Sequence, residues 1–372
     1  MRSRPGASLT LPAVSAHRSA SARAGTRRSI LAVLLLAGGL WCLAAHAQEA
    51  GREAAPSAAA PQDPSQLGVL DWLRRMHQAA RQTSYVGTFV VSAATGDLSS
   101  ARIWHACEGD LQIERVEALS GPPRSTFRRN DLVLTFLPEA GVVKSERRDN
   151  VEVFPNLLGA SETSIAALYG ARLLGKGRVA GIDADVVQIV PRDGLRFGYR
   201  VWSERRSGLV LKLQTLDTEG GVVEQSAFSE VQLDAPLKVQ ALDQMMSSTG
   251  GYRVEKSELR RTSAEAEGWA LKVPVAGFKP VSCYRRALGA RSPAGERTVQ
   301  WTFSDGLATV SLFIEPFDPQ QAGPETVMQL GATYTLTRRL AGEGEAGWWL
   351  TAVGEVPPRT LDAFARSLAR TR

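Results

Sequence analysis

Residues Gly194 to Asp217, GLRFGYRVWSERRSGLVLKLQTLD, alternate apolar and polar side chains on both sides of a polar turn. Leu195, Phe197, Tyr199 and Val201 interleave with Arg196, Gly198, Arg200 and Trp202. After Glu204 to Gly208, Leu209, Leu211 and Leu213 are set against Lys212 and Gln214. A period of two over both arms predicts a β-hairpin with one apolar face. That face needs a cover, which the protein's own helices, a ligand or another protein can supply.

From Tyr85 onward the chain reads as short strands: YVGTFVVS, ARIWHAC, LQIERVEAL, STFRR, DLVLTFL and GVVKSE. Turn signals such as Thr95-Gly96-Asp97 and Gly121-Pro122-Pro123 separate them, and connections this short favour an antiparallel meander. Two segments break the period. LGVLDWLRRMHQAARQTSY spaces Leu70, Leu73, Met76, His77 and Ala80 by three and four residues, which predicts an amphipathic helix; ETSIAALYGARLL predicts a second. Strands resume with RVAGIDADVVQIVP, the hairpin and GVVEQSAFSEVQL. Residues 67–235 therefore read as one large, curved antiparallel sheet with two helices.

Alternation lapses over residues 236–261, which read as a linker, although LDQMMSS has the make-up of a short helix. It returns in residues 262–372 with GWALKVPVAGFKPVSCYRR, VQWTFSDGLATVSLFIEPF, GATYTLTRRL and GWWLTAVGEV. Pro357-Pro358 then opens a last helix on which Leu361, Phe364, Ala365 and Leu368 share a face. The fold class is α+β: a large curved antiparallel sheet and a smaller α+β C-terminal domain.

Charge changes the picture at the N-terminus. The formal net charge of +6 comes from Arg2, Arg4, Arg18, Arg23, Arg27 and Arg28, since no Asp or Glu precedes residue 48. Setting those six aside leaves 38 basic residues against 38 acidic, so the phosphate-neutralising excess of a nucleic-acid binder is missing. The six arginines precede SILAVLLLAGGLWCLAAHAQEA, whose apolar run ends in Ala45-His46-Ala47. Residues 1–47 thus read as a signal peptide, too short in its apolar core for a membrane span, and residues 48–66 as a flexible leader. Cys107 and Cys283 remain after cleavage, far apart in sequence, and read as two isolated thiols rather than a bridge.

Candidate chemistry is sparse. His77 and His105 are the histidines beyond residue 47, and even with Cys107 two residues from His105 the three or four converging ligands of a metal site are not offered. No Gly-x-Ser-x-Gly elbow and no phosphate-binding glycine loop occurs. Asp183 and Asp185 form a close carboxylate pair on one strand face beside a turn, where solvation explains them. No enzyme activity, metal or cofactor is expected. What the chain offers is aromatic and aliphatic surface on a sheet. Two helices are little cover for roughly twelve strands, since a sheet packs against a full layer about 10 Å away. An apolar ligand cavity is one reading, with Tyr85, Phe89, Trp104, Phe136, Leu195, Phe197, Tyr199, Val201 and Leu211 as its lining. A core closed by the two helices is the other.

RIWHACEGDLQIERVEALSGPPRSTFRR, VPRDGLRFGYRVWSERRSGLVLKLQTLD, VPVAGFKPVSCYRR, WTFSDGLATVSLFIE and TAVGEVPPRTLDAFARSLAR resemble the two domains of the MucB/RseB family, in the same order. The resemblance implies a periplasmic regulator of the envelope stress response, which binds the periplasmic domain of an RseA/MucA-type anti-sigma factor and shields it from site-1 proteolysis. It implies release by lipid, a lipopolysaccharide fragment or a lipoprotein acyl chain. It also implies a large domain similar to LolA/LolB carriers, an unclosed β-barrel with helices in its concavity. Cys107 departs from the family pattern. A lipid or lipoprotein carrier without a regulatory role is the alternative, and the second domain argues against it, since a simple carrier has no use for one. Homo-oligomerisation is left open.

Overall fold

The computed structural model describes residues 64–371 except 110, 148–161, 257–258, 287–297, 321 and 342–346. The expected signal peptide, and the leader as far as residue 63, lie outside the described residues.

After a 3-10 turn at Pro64–Gln66, helix α1 (Val69–Gln82) buries Val69, Trp72, Leu73, Met76, Ala79 and Ala80. Asp71 holds its N-terminus by accepting the Gly68 N–H at 3.1 Å. Strands β1 (Tyr85–Ala93), β2 (Leu98–Glu108), β3 (Leu111–Ala118), β4 (Ser125–Arg129), β5 (Leu132–Leu137) and β6 (Val142–Arg147) form the meander. Helix α2 (Glu162–Leu168) leads into β7 (Tyr169–Val179), β8 (Ile182–Pro191), β9 (Gly198–Glu204), β10 (Val210–Leu216) and β11 (Val222–Leu233). Helix α3 (Val239–Ser247) and β12 (Arg253–Lys256) follow.

These strands make one 12-stranded sheet in the order β12-β6-β5-β4-β3-β2-β1-β11-β10-β9-β8-β7. Neighbours are antiparallel except β12, which runs parallel to β6. The end strands β12 and β7 are not paired with each other, so the barrel is unclosed. Helices α1 and α2 fill one face, where Trp72, Leu73, Met76 and Ile165 pack with Tyr85, Phe89, Ile103, Val187, Val201, Leu211 and Leu213.

The second sheet uses β13 (Leu259–Arg261), then, past a short β14 (Trp269–Leu271), β15 (Lys279–Arg286), β16 (Thr298–Ser304) and β17 (Thr309–Pro316). It continues with β18 (Thr326–Leu330), β19 (Thr333–Leu340) and β20 (Trp348–Gly354), in the order β13-β15-β16-β17-β20-β19-β18. Helix α4 (Pro358–Ser367) lays Leu361, Phe364 and Ala365 on it, against Phe278, Phe303, Leu312, Leu336 and Ala352. A last strand β21 (Leu368–Arg370) pairs with β14.

The segment expected to be a linker, residues 236–261, is ordered onto the large sheet over much of its length. Val239, Leu242 and Met246 of α3 are buried against Ala106, Ile113, Phe127, Leu134, Phe136 and Val143, on the face opposite α1. Strands β2 and β3 are thus packed on both sides. Along β2, Ala101, Ile103 and His105 are buried toward α1, while Trp104 and Ala106 belong to the α3 cluster.

Candidate functional site

The nine side chains expected to line one cavity fall into three groups. Tyr85, Phe89, Tyr199, Val201 and Leu211 are buried under α1 and α2. Trp104 and Phe136 belong to the α3 cluster, with Phe136 edge-on to Phe127 and Tyr252 at 5.4 Å each. Leu195 packs into the core of the second sheet, and Phe197 lies 6.2 Å from Tyr334. The alternation of residues 195–201 is real, but strand β9 begins only at Gly198; before it, the backbone bends to reach the second sheet.

That bend is the centre of a junction which sequence reasoning missed. Arg196, placed by its period on the polar face, is 0% exposed. Its Nε donates to Asp305 Oδ2 at 2.6 Å, its Nη2 to the Ala276 carbonyl at 2.6 Å and its Nη1 to Asp193. The guanidinium also lies over the Phe278 ring, 4.9 Å from its centre. A Cβ at Gly277, where φ is +81°, would collide with Arg196 Nη2, so the approach needs a glycine. Asp305 is held in turn: Tyr169 donates to its Oδ2 at 2.8 Å, and its Oδ1 accepts the N–H groups of Leu307 and Ala308 at 2.9 and 2.8 Å. Each charge therefore has several partners, as a buried ion needs. The Thr360 hydroxyl of α4 adds a bond to the Leu195 carbonyl at 2.7 Å. At a second contact point Glu224 of β11 accepts the Ala332 N–H at 3.2 Å, and at a third Arg286 reaches Glu146 at 3.8 Å. The arrangement couples the two sheets.

Burial moves several titrating groups, His105, Glu114 and Glu224 among them. His105 Nδ1 donates to the Thr83 carbonyl at 3.0 Å; the ring stacks 5.2 Å from Tyr85 and is pushed down to about 4 by burial. Since a carbonyl only accepts, a proton is on Nδ1, and the lowered pKa favours the neutral ring at neutral pH. Glu114, opposite His105 in register, is pushed up to about 7 by burial, with Arg128 at 3.6 Å opposing that rise. Burial raises Glu224 to about 7 as well, against the Ala332 hydrogen bond.

Glu224 gives a measurable sign. Its proton is held more tightly in the folded chain than at its ordinary value of 4.5, so its contribution to stability is full below 4.5 and is lost as pH rises through about 7. Above that, the buried carboxylate costs on the order of 3 kcal/mol. Glu224→Gln keeps an acceptor for Ala332 without the charge. In thermal melts its stability should match the parent below pH 4.5, exceed it increasingly between pH 4.5 and about 7, and keep a constant margin above that; a difference that does not grow over that window contradicts the assignment.

Among the described residues no group of three or more His, Cys, Asp or Glu side chains is placed to hold a metal ion. Cys107 and Cys283 are free thiols, with Cys107 Sγ 3.4 Å from the Ser84 hydroxyl and Cys283 raised to about 12, first by burial and then by Glu267 and Glu265.

The two sheets coincide with two matches to known sequence families. Residues 68–246 match the MucB/RseB N-terminal domain, and residues 263–369 match the MucB/RseB C-terminal domain. The chain belongs to the MucB/RseB family. The first match runs to Met246, through α3, in keeping with the packing of that helix. The sigma factor AlgU regulatory protein MucB of Pseudomonas aeruginosa is 31% identical over 302 residues, covering 80% of this chain and 90% of the relative. The sigma-E factor regulatory protein RseB of Escherichia coli K12 is 25% identical over 306 residues, with coverage of 80% and 89%. The structure of the P. aeruginosa MucA/MucB complex superposes with a TM-score of 0.63 at 29% identity, covering 82% of this chain and 99% of the other. A crystal structure of MucB in complex with MucA(peri) gives 0.62 at 28% identity, with coverage of 81% and 98%.

Proposed function

We propose that this chain is a periplasmic negative regulator of an envelope-stress sigma factor. It binds the periplasmic domain of an RseA/MucA-type anti-sigma factor and covers the segment cut by the site-1 protease, acting by occupancy rather than by catalysis. The observation that carries the reading is the pair of family matches, in order, over both sheets, in a chain whose solved relatives include MucB bound to MucA. The signal for release is a lipid or lipoprotein acyl chain. Its place is the face beneath α1 and α2, where Tyr85, Phe89, Tyr199, Val201 and Leu211 gather; the chain must displace helix side chains to reach them. Transfer of about 0.8 kcal/mol per CH₂ is enough to drive that exchange over an acyl chain's length.

The test is proteolysis of a purified anti-sigma periplasmic domain by its site-1 protease. Added full-length chain should slow cleavage in a concentration-dependent way, and a lipopolysaccharide fragment or fatty acid should restore it. Undiminished cleavage at saturating chain, with lipid still bound, would move the protein to the carrier class.

A further inference from the structure

On the face of the large sheet away from α1, the strands β7 to β11 carry a ladder of polar side chains. Arg172, Gln188, Arg200, Gln214 and Gln225 stand directly across from one another on five successive strands. Arg172 donates to Gln188 at 2.7 Å, Arg200 to Gln214 at 3.2 Å, and Gln214 to Gln225 at 3.0 Å. One row further along, Val186, Trp202 and Lys212 are cross-strand neighbours. The Lys212 ammonium sits 4.6 Å from the Trp202 ring centre. The indole lies on Gly177, where a Cβ would come within 2.8 Å of its Nε1, so the glycine lets the ring rest against the backbone. Val190, on the same face as Gln188, is 40% exposed.

Three cations thus share one face, and among the described residues none of them has a carboxylate partner. Glutamine carbonyls and a ring hold them in place and leave their charge uncancelled. Lys212 is pushed below its ordinary value, first by burial and then by Arg200. A folded protein gains nothing from crowding like charges in this way, and an outside anion resolves the crowding. Further along the same face the pattern changes: Trp104 lies between Arg102 and Arg115, at 5.5 and 4.7 Å, but Glu117 neutralises Arg115 at 2.8 Å and Glu230 accepts from Thr88. The uncompensated charge is therefore local to β7–β10.

We propose that this face docks onto an anionic phospholipid surface, with Arg172, Arg200 and Lys212 among the headgroups and Trp202 at the interface. Lysine or arginine beside a tryptophan with exposed aliphatic neighbours is the composition that membrane interfaces select. An extended polypeptide partner fits less well. Arg200, Trp202 and Lys212 stand on β9 and β10, whose backbones are already paired on both sides and offer no strand edge; of the three cations, Arg172 alone lies on an end strand, β7.

The test is co-sedimentation of the full-length mature chain with vesicles of phosphatidylcholine alone, and with vesicles of equal parts phosphatidylcholine and phosphatidylglycerol. Binding is expected to the second only, to fall steeply with added salt, and to shift the tryptophan emission to shorter wavelength. Each cation near such a surface contributes about fivefold in partitioning, so the triple variant Arg172→Gln, Arg200→Gln, Lys212→Gln should lose about a hundredfold. The charge-preserving variant Arg172→Lys, Arg200→Lys, Lys212→Arg should retain binding, and Trp202→Phe should bind with a smaller emission shift. Equal binding to both vesicle types overturns the proposal, as does a triple variant that sediments like the parent. A triple variant that keeps its vesicle binding but loses the anti-sigma domain assigns the face to a protein and equally overturns it. Because vesicle binding is read without the anti-sigma domain or its protease, its failure leaves the proteolysis result of the regulatory reading untouched.

Discussion

Asp305→Ala should cost about 3–5 kcal/mol of stability, the penalty for leaving a buried charge without its partner. In a chain with domains of this size that is a fall of roughly 10 °C in the melting temperature. The substitution removes the carboxylate that accepts from Arg196 and Tyr169, and it leaves the Leu307 and Ala308 N–H groups without their acceptor. Arg196 then stays 0% exposed with Asp193 and the Ala276 carbonyl as its remaining bonds. Asp305→Asn combined with Arg196→Met separates shape from charge. Asn keeps an oxygen for the turn, and Met fills the aliphatic path toward Phe278 without a charge to satisfy, so the double variant should recover most of the loss. Added salt should do little to the parent, since the pair is shielded from solvent. An Asp305→Ala variant that melts within about 2 °C of the parent would mean that the junction yields without consequence, and the two sheets would have to be held by the remaining contacts.

The junction also shows where sequence reading stops. Arg196 and Asp305 are 109 positions apart, and nothing in the period of either strand distinguishes Arg196 from Arg200, four residues on, which remains on the polar ladder. Alternation correctly marked Leu195 and Phe197 as apolar and in need of cover, but the cover is the second sheet. Trp104 illustrates a different limit. Strand β2 is buried on both faces, Ile103 and His105 toward α1 and Trp104 and Ala106 toward α3, so its sequence lacks the phase that a half-exposed strand provides. Where one face meets solvent, as in β9 and β10, the strands and the turn between them were legible. The open sheet, the two helices over it and the smaller unit with its final helix were legible for the same reason: each buries a single stripe or face.

Residues 236–261 give the second large effect. They read as a linker because β12, Arg253–Lys256, has no alternation and is exposed throughout; only its backbone pairing with β6 makes it a strand. Helix α3 did carry a signal, Val239, Leu242 and Met246 at spacings of three and four, but nine residues is short for a periodicity to stand out. An N-terminal fragment ending at residue 235 removes all of this and uncovers Ala106, Ile113, Phe127, Phe136 and Val143. Single truncations of buried Leu or Met to Ala cost about 2–5 kcal/mol, and losing three such side chains together with a strand should exceed what a marginally stable domain holds in reserve. The fragment 64–235 should therefore be aggregation-prone or partly unfolded, with strong binding of a hydrophobic dye. Fragment 64–256 should fold cooperatively, and Leu242→Ala within it should lower stability by about 2–4 kcal/mol. Two fragments with the same circular dichroism and the same melting temperature would show that α3 and β12 are dispensable packing, and the first structural unit would end at residue 235 after all.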